Sequence, residues 1–298
     1  MKPVCDRERC PATSRDSSTE LLMKRERDQE QRPATFRNSS DELLVKPARD
    51  HELRLYGHRG ASSRLPENTL PAFAAALEDG ANALEFDIRR TADGHFVVAH
   101  DPDGIRMAGV AEEIRNISLD QVKRWNVGAG AGFDDPNHYL VPTLEETMQA
   151  FPGIPMSIDL KPDDPGMVSP LLEVVTRHHA EDRVTLASFS SRVVREIRRL
   201  GYRGRTTLSK LEVALVRFLP AAMARRYVSG NAAHIPVQHG LVRLDGARFI
   251  ARCRALGLRV EYWVVDDPRE ARRLLDAGAT GIMTDDPAAV APAFRDRA

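Results

Sequence analysis

From residue 54 onward the chain alternates short β-rich runs with helical stretches, and this alternation restricts the fold more than any other feature. The strand candidates are LRLYG (53–57), ALEFDI (83–88), PMSIDL (155–160), RVTLAS (183–188), GRTTLS (204–209), AAHIPV (232–237), LRVEYWVV (258–265) and TGIMT (280–284). Between them lie the helix candidates TLPAFAAALEDG (69–80), TLEETMQAF (143–151), SSRVVREIRRLG (190–201), DGARFIARCRALG (245–257) and DPREARRLLDAG (267–278). Thr69 stands as an N-cap to the first helix and Gly80 closes it. Eight strands alternating with helices fit a (β/α)8 TIM barrel. A doubly wound open sheet is the competing arrangement.

One segment breaks the rhythm, after the second strand. TADGHFVVAH reads as an extra hairpin turning at Asp93-Gly94. The stretch beyond it, including GAGAGFDDPNH (128–138), is glycine-rich and reads as loop. Long insertions of this kind sit at the catalytic face of a barrel. The expected fold is therefore a TIM barrel over residues 54–298 with a small insertion after its second strand.

Residues 1–53 have a different grammar, rich in Arg, Asp, Glu and Ser. PATSRDSSTELLMKRERD (11–28) matches PATFRNSSDELLVKPARD (33–50) at 12 of 18 positions. Each copy holds a capping-box pattern, Ser17 to Glu20 and Ser39 to Glu42, before a Leu-Leu pair. Neither helix is long enough to stand alone in water, and two copies are too few for a solenoid. The expectation is a disordered low-complexity tail with an internal repeat. A pair of docking motifs is the alternative.

Lys plus Arg equals Asp plus Glu at 43 each, which argues against a general nucleic-acid binder. Cys5, Cys10 and Cys253 form no disulfide or zinc framework. No apolar run reaches the roughly 20 residues of a spanning helix, and the N-terminus lacks a signal-peptide centre. A cytoplasmic location is expected.

Glu85 and Asp87 stand two apart in LEFDIRR, so both carboxylates share one strand face. Two like charges there repel unless a cation sits between them, and hard oxygen ligands suit Mg²⁺ or Ca²⁺. Asp159 and Lys161 repeat the spacing in SIDLK. His58 and His100 each end a strand, and two such histidines suggest an acid and a base. Arg59 adds a fork of donors suited to phosphate. Two imidazoles, three carboxylates, a guanidinium and an ammonium are what phosphodiester cleavage needs.

The stretch GHRGASSRLPENTLPAFAAALEDGANALEFDIRRTADGHFVVAHD resembles the opening of the glycerophosphodiester phosphodiesterase family. His-Arg-Gly, Pro-Glu-Asn-Thr, Glu-x-Asp, Thr-x-Asp-Gly and a closing His-Asp follow in order. The resemblance continues through VPTLEE, SIDLK, ASFS, YWVV and GATGIMTDDP, covering residues 54–290. It implies a metal-dependent hydrolase of small glycerophosphodiesters, releasing glycerol 3-phosphate through a cyclic phosphate. It implies His58 and His100 as acid and base, and Glu85, Asp87 and Asp159 as ligands of a divalent metal, Mg²⁺ or Ca²⁺. Arg59 and Lys161 are implied as phosphate contacts, Phe189 and Trp263 as pocket walls. Glu67 and Asn68 then support the His-Arg loop.

Two departures stand out. The family usually has Glu where this chain has Asp159, which draws the oxygen back by about one C–C bond, ~1.5 Å. The sphingomyelinase D group resembles this chain in having Asp-x-Lys there. The usual Trp-Thr of the glycerophosphodiester phosphodiesterase family is Trp263-Val264 here. A second reading is therefore a lysophospholipase D-type or sphingomyelinase D-like enzyme. It would make weak membrane-surface contact through LEVALVRFLPAAMARRYV (211–228). A third is a non-catalytic phosphodiester-binding barrel. The arginines at 192, 195, 198, 199, 203 and 205 read as a solvated helix surface. Oligomeric state is not read from the sequence.

Overall fold

The computed structural model describes residues 52–129, 139–161 and 163–295. Its first strand, β1, is Arg54–His58. Seven more parallel strands follow: β2 (Ala83–Arg90), β3 (Met156–Leu160), β4 (Val184–Ala187), β5 (Arg205–Thr206), β6 (Ala232–Ile235), β7 (Arg259–Tyr262) and β8 (Gly281–Thr284). They lie side by side in the order β5-β4-β3-β2-β1-β8-β7-β6. The ends of that row meet through the parallel bridge Thr207↔Ala232, where Leu208 N–H donates to Ala232 O at 2.8 Å. An open sheet would leave these edges apart, so the barrel expectation holds and the doubly wound alternative falls.

A helix follows each strand: Leu70–Glu78, Leu144–Ala150, Val168–Arg177, Ser191–Arg199, Lys210–Phe218, Ala247–Ala255, Pro268–Asp276 and the short Pro287–Val290. Five of these coincide with expected helices. Val168–Arg177 is an addition, its Pro170 tolerated because it falls in the first turn. The stretch 211–228 breaks at Pro220 into Lys210–Phe218 and Ala221–Ala224. The tail 1–51, with its repeat, Cys5 and Cys10, and the loop segment 130–138 lie outside the described residues.

Alternation along each strand divides the barrel into two environments. Leu55, Leu84, Phe86, Ile158, Leu186 and Ile282 pack in the main core. On the alternate positions Arg54, Tyr56, Ser157, Thr185, Arg259 and Glu261 are buried in the bore. Barrels of this type usually fill the bore with branched apolar side chains. Hydrogen bonds take that role here: Tyr56 OH donates to Glu261 Oε2 at 3.0 Å and Arg259 Nε to Glu261 Oε1 at 2.7 Å.

The hairpin after β2 forms as expected, Phe96–Val98 pairing antiparallel with Ile88, Arg89 and Arg90. The insertion has a small core of its own around Ile114, Val122, Trp125 and Val141. Its effect is to set His100 over the barrel mouth. Ala99 N–H donates to Asp87 O at 3.0 Å, and Arg89 Nε to His100 O at 2.9 Å.

Candidate active site

Strand register assembles the site. His58 is the β1 partner of Glu85 on β2, and Asp87 pairs with Asp159 on β3. Parallel partners point the same way, so four side chains from three strands converge at the strands' C-terminal ends. There a cavity of about 220 Å³ is lined by His58, Arg59, Glu85, Asp87, His100, Asp159, Lys161, Phe189 and Trp263, together with Ser157 and His234. All nine residues singled out in the sequence thus face one space.

The loop after β1 is built to present Arg59. Its backbone holds φ at +57°, fixed by Arg59 N–H donating to Glu85 O at 2.8 Å and Asn68 N–H to Arg59 O at 2.9 Å. Thr69 then caps the helix, its Oγ1 accepting from Ala72 N–H at 3.3 Å. The Arg59 side chain reaches Glu67 at 3.1 Å and Asp87 at 3.3 Å. Glu67 therefore does support the loop, and Arg106 of the insertion clamps it, with Nη2 2.8 Å from Glu67 Oε1.

Both site histidines rest Nδ1 on a carboxylate: His58 on Asp285 at 2.6 Å, His100 on Asp101 at 2.8 Å. That contact orients each ring and leaves Nε2 for other partners. Burial opposes a charge on His58, but Glu85, 3.7 Å from Nε2, and Asp285 outweigh it, raising its pKa above the ordinary value. Burial dominates at His100 and lowers its pKa despite Asp101.

The three carboxylates are 7% (Glu85), 2% (Asp87) and 8% (Asp159) exposed. Burial pushes Asp159 up to about 8 and raises Glu85. Burial would raise Asp87 too, yet Lys161 and then Arg59 hold it below the ordinary range. Lys161 Nζ sits 2.7 Å from Asp87 Oδ1 and 3.5 Å from Asp159 Oδ2, taking a cation's place between them. One oxygen of each acid, Glu85 Oε2, Asp87 Oδ2 and Asp159 Oδ1, is buried without a hydrogen-bond partner. Three such oxygens on adjoining strands, with Arg59 Nε 3.3 Å from Asp87 Oδ2 as an ion-pair partner only, match the donor chemistry of a hard divalent ion. Among the described residues no three such groups stand as a ready-made cluster.

Phe189 and Trp263 meet edge to face, ring centres 5.8 Å apart, at one side of the mouth. Three participants escaped the sequence reading: Asp285, Ser157 and His234. Asp285 directly follows β8, the strand-end position that singled out His58, and that placement was the available signal. Ser157 and His234 lie inside strands on the inward alternation, a signal readable only once the barrel is known.

The sequence matches the family model described as "Glycerophosphoryl diester phosphodiesterase family" over residues 58–289. A glycerophosphodiester phosphodiesterase of Caldanaerobacter subterraneus subsp. tengcongensis is 28% identical over 235 residues, 77% of this chain and 93% of that protein. A probable glycerophosphodiester phosphodiesterase 2 of Mycobacterium tuberculosis is 32% identical, covering 76% of this chain and 85% of its own length. In fold, the chain superposes with a TM-score of 0.68 on an Oleispira antarctica phosphodiesterase in complex with the product sn-glycerol-3-phosphate. That match has 21% identity over 81% of this chain and 96% of the other. With motif order, barrel topology and family model in agreement, the chain belongs to the glycerophosphodiester phosphodiesterase family.

Proposed function

We propose that this chain hydrolyses glycerophosphodiesters by histidine acid–base catalysis assisted by a divalent metal. It is a phosphodiester hydrolase of its family, and its substrate is a small molecule. The observation that carries the mechanism is the pair of carboxylate-oriented histidines facing one cavity with Arg59, Lys161 and three buried acids. Glu85, Asp87 and Asp159 would hold Mg²⁺ or Ca²⁺, which when bound would neutralise charge on the phosphoryl oxygens.

Arg59 and Lys161 bind and orient the phosphate. His100, its Nδ1 held by Asp101, accepts the proton of the glycerol hydroxyl adjacent to the phosphate. That oxygen forms a bond to phosphorus while the bond to the alcohol breaks, and His58 protonates the departing oxygen. Water then opens the cyclic phosphate with the two histidines exchanging tasks. Metal-dependent release of glycerol 3-phosphate from glycerophosphocholine is the expected outcome. Absence of release with Mg²⁺, Ca²⁺ and Mn²⁺ would refute the reading. Calorimetry should register divalent-ion binding by the wild type and its loss in Glu85→Ala.

A second reading, a lysophospholipase D-type activity, has one supporting observation. Phe189, Leu241 and Val264 are exposed apolar side chains on the connections after β4, β6 and β7, and Leu211 is exposed in the first turn of the helix after β5. Turnover of lysophosphatidylcholine and co-sedimentation with anionic liposomes would favour it. Among the described residues no helix is long and apolar enough to cross a membrane. The cytoplasmic location remains part of this proposal.

A further inference from the structure

We propose that His234 and Ser157 form a hydroxyl-reading floor to the pocket, selecting the distal hydroxyl of the substrate's glycerol unit. This rests on the phosphodiesterase reading and deepens it. His234 lies on β6 and Ser157 on β3, strands that are not neighbours in the barrel. Their side chains nevertheless meet across the bore, Ser157 Oγ standing 3.3 Å from His234 Nδ1, and both line the pocket.

The partner beneath fixes what His234 offers. Its Nε2 lies 2.5 Å from Glu261 Oε2. The contact is close but poorly aligned for a hydrogen bond, and a carboxylate on that side favours the ring hydrogen on Nε2. Glu261 cannot turn away, because Tyr56 OH and Arg259 Nε also donate to it, at 3.0 and 2.7 Å. In the neutral ring with its hydrogen on Nε2, Nδ1 faces Ser157 as an acceptor. The Ser157 contact is long for a hydrogen bond from a hydroxyl, so the couple is loose. An acceptor beside a hydroxyl matches a ligand hydroxyl, which donates to Nδ1 and accepts from Ser157.

Depth identifies which hydroxyl. Ser157 is the register partner of Glu85 and sits two residues before Asp159 on the same face of β3. The floor is thus level with Glu85 and one inward layer below Asp87 and Asp159, roughly 6.6 Å along the strand. A three-carbon unit anchored by its phosphate above spans that depth. The hydroxyl adjacent to phosphorus is consumed by the chemistry; the distal one is left to the floor. An acyl ester at that oxygen removes the donor, so the inference weighs against lysophospholipids acylated there.

The test compares glycerophosphocholine with 2-hydroxypropyl phosphocholine, which keeps the reacting hydroxyl and lacks the distal one. Calorimetric binding of glycerol 3-phosphate and of 2-hydroxypropyl phosphate runs beside the kinetics. The wild type should favour the hydroxylated member of each pair by roughly tenfold or more. His234→Gln keeps a donor for Glu261 at the Nε2 position and loses the Nδ1 acceptor, so the preference should fall to parity. His234→Asn places an amide oxygen near the Nδ1 position and should restore it. Equal handling of the pair by the wild type overturns the inference, as does an equal loss on both substrates in His234→Gln. If neither diester is cleaved but the binding preference and its loss in His234→Gln persist, the hydrolase reading falls and the hydroxyl site stands.

Discussion

His58 and His100 share one chemistry and differ in neighbours. His58 is held between Glu85 and Asp285, which overcome the cost of burial and favour its imidazolium. At His100 burial prevails over Asp101 and Asp87, with Lys161 and Arg59 adding to the lowering. Relative to the ordinary 6.5, one pKa moves up and the other down. On the proposed mechanism, catalysis requires neutral His100 and charged His58. Activity should therefore rise with pH through the His100 value, below 6.5, and fall through the His58 value, above it. The expected kcat/KM profile is a bell spanning 6.5. Asp285→Asn removes one raising cause, so the basic limb should move to lower pH while the acid limb stays. With the ring less firmly oriented, kcat should fall by about tenfold or more. A basic limb that stays in place in this variant would show that Asp285 does not set the charge of His58.

The β1 strand and the loop after it show how an element delivers a side chain. Gly60 holds φ at +94°, and a Cβ there would stand 2.6 Å from the backbone carbon of Ala72. Only glycine accepts that conformation and that closeness without displacement. Gly60→Ala should cost about 1–3 kcal/mol, measured by urea unfolding. It should also weaken inorganic-phosphate binding, because Arg59 is the preceding residue. A variant with wild-type stability and phosphate affinity would contradict the account. Much of this element was legible in advance: a strand-like run ending in His-Arg-Gly, then a turn and a capped helix. The charged residues at strand ends were legible for the same reason, since period two gives a face and the barrel gives the end. His58–Asp285 and Ser157–His234 were not, because these pairs lie 227 and 77 residues apart. Their proximity follows from barrel order and register, which local patterning does not encode. Arg198 was misread likewise. Grouped with solvated arginines, it instead binds Thr206, Glu212 and the Thr207 carbonyl. GRTTLS yields only a two-residue strand, because Ser209 turns to cap the next helix.

At the scale of the whole molecule, the barrel carries charge through its centre, and such a bore is stable only when each charge is met. Glu261 on β7 is the hub, touching His234 on β6, Tyr56 on β1 and Arg259 on its own strand. The same carboxylate thus ties together strands β6, β7 and β1 and supports the pocket floor. Burial would raise its pKa; His234, Arg259 and Arg54 together carry it well below the ordinary 4.5. A depressed native value means that its contribution is complete above the unfolded value near 4.5 and is lost as pH falls through the native one. Glu261→Gln leaves Arg259 and Arg54 without their counter-charge and His234 without its carboxylate partner. It should destabilise the fold by about 3–5 kcal/mol at pH 7, read as a lower urea midpoint. Below pH 4.5 the wild type should lose stability more steeply than the variant, so the two curves converge. Parallel curves through that range, or an unchanged midpoint at pH 7, would mean that the bore network does not hold the barrel together.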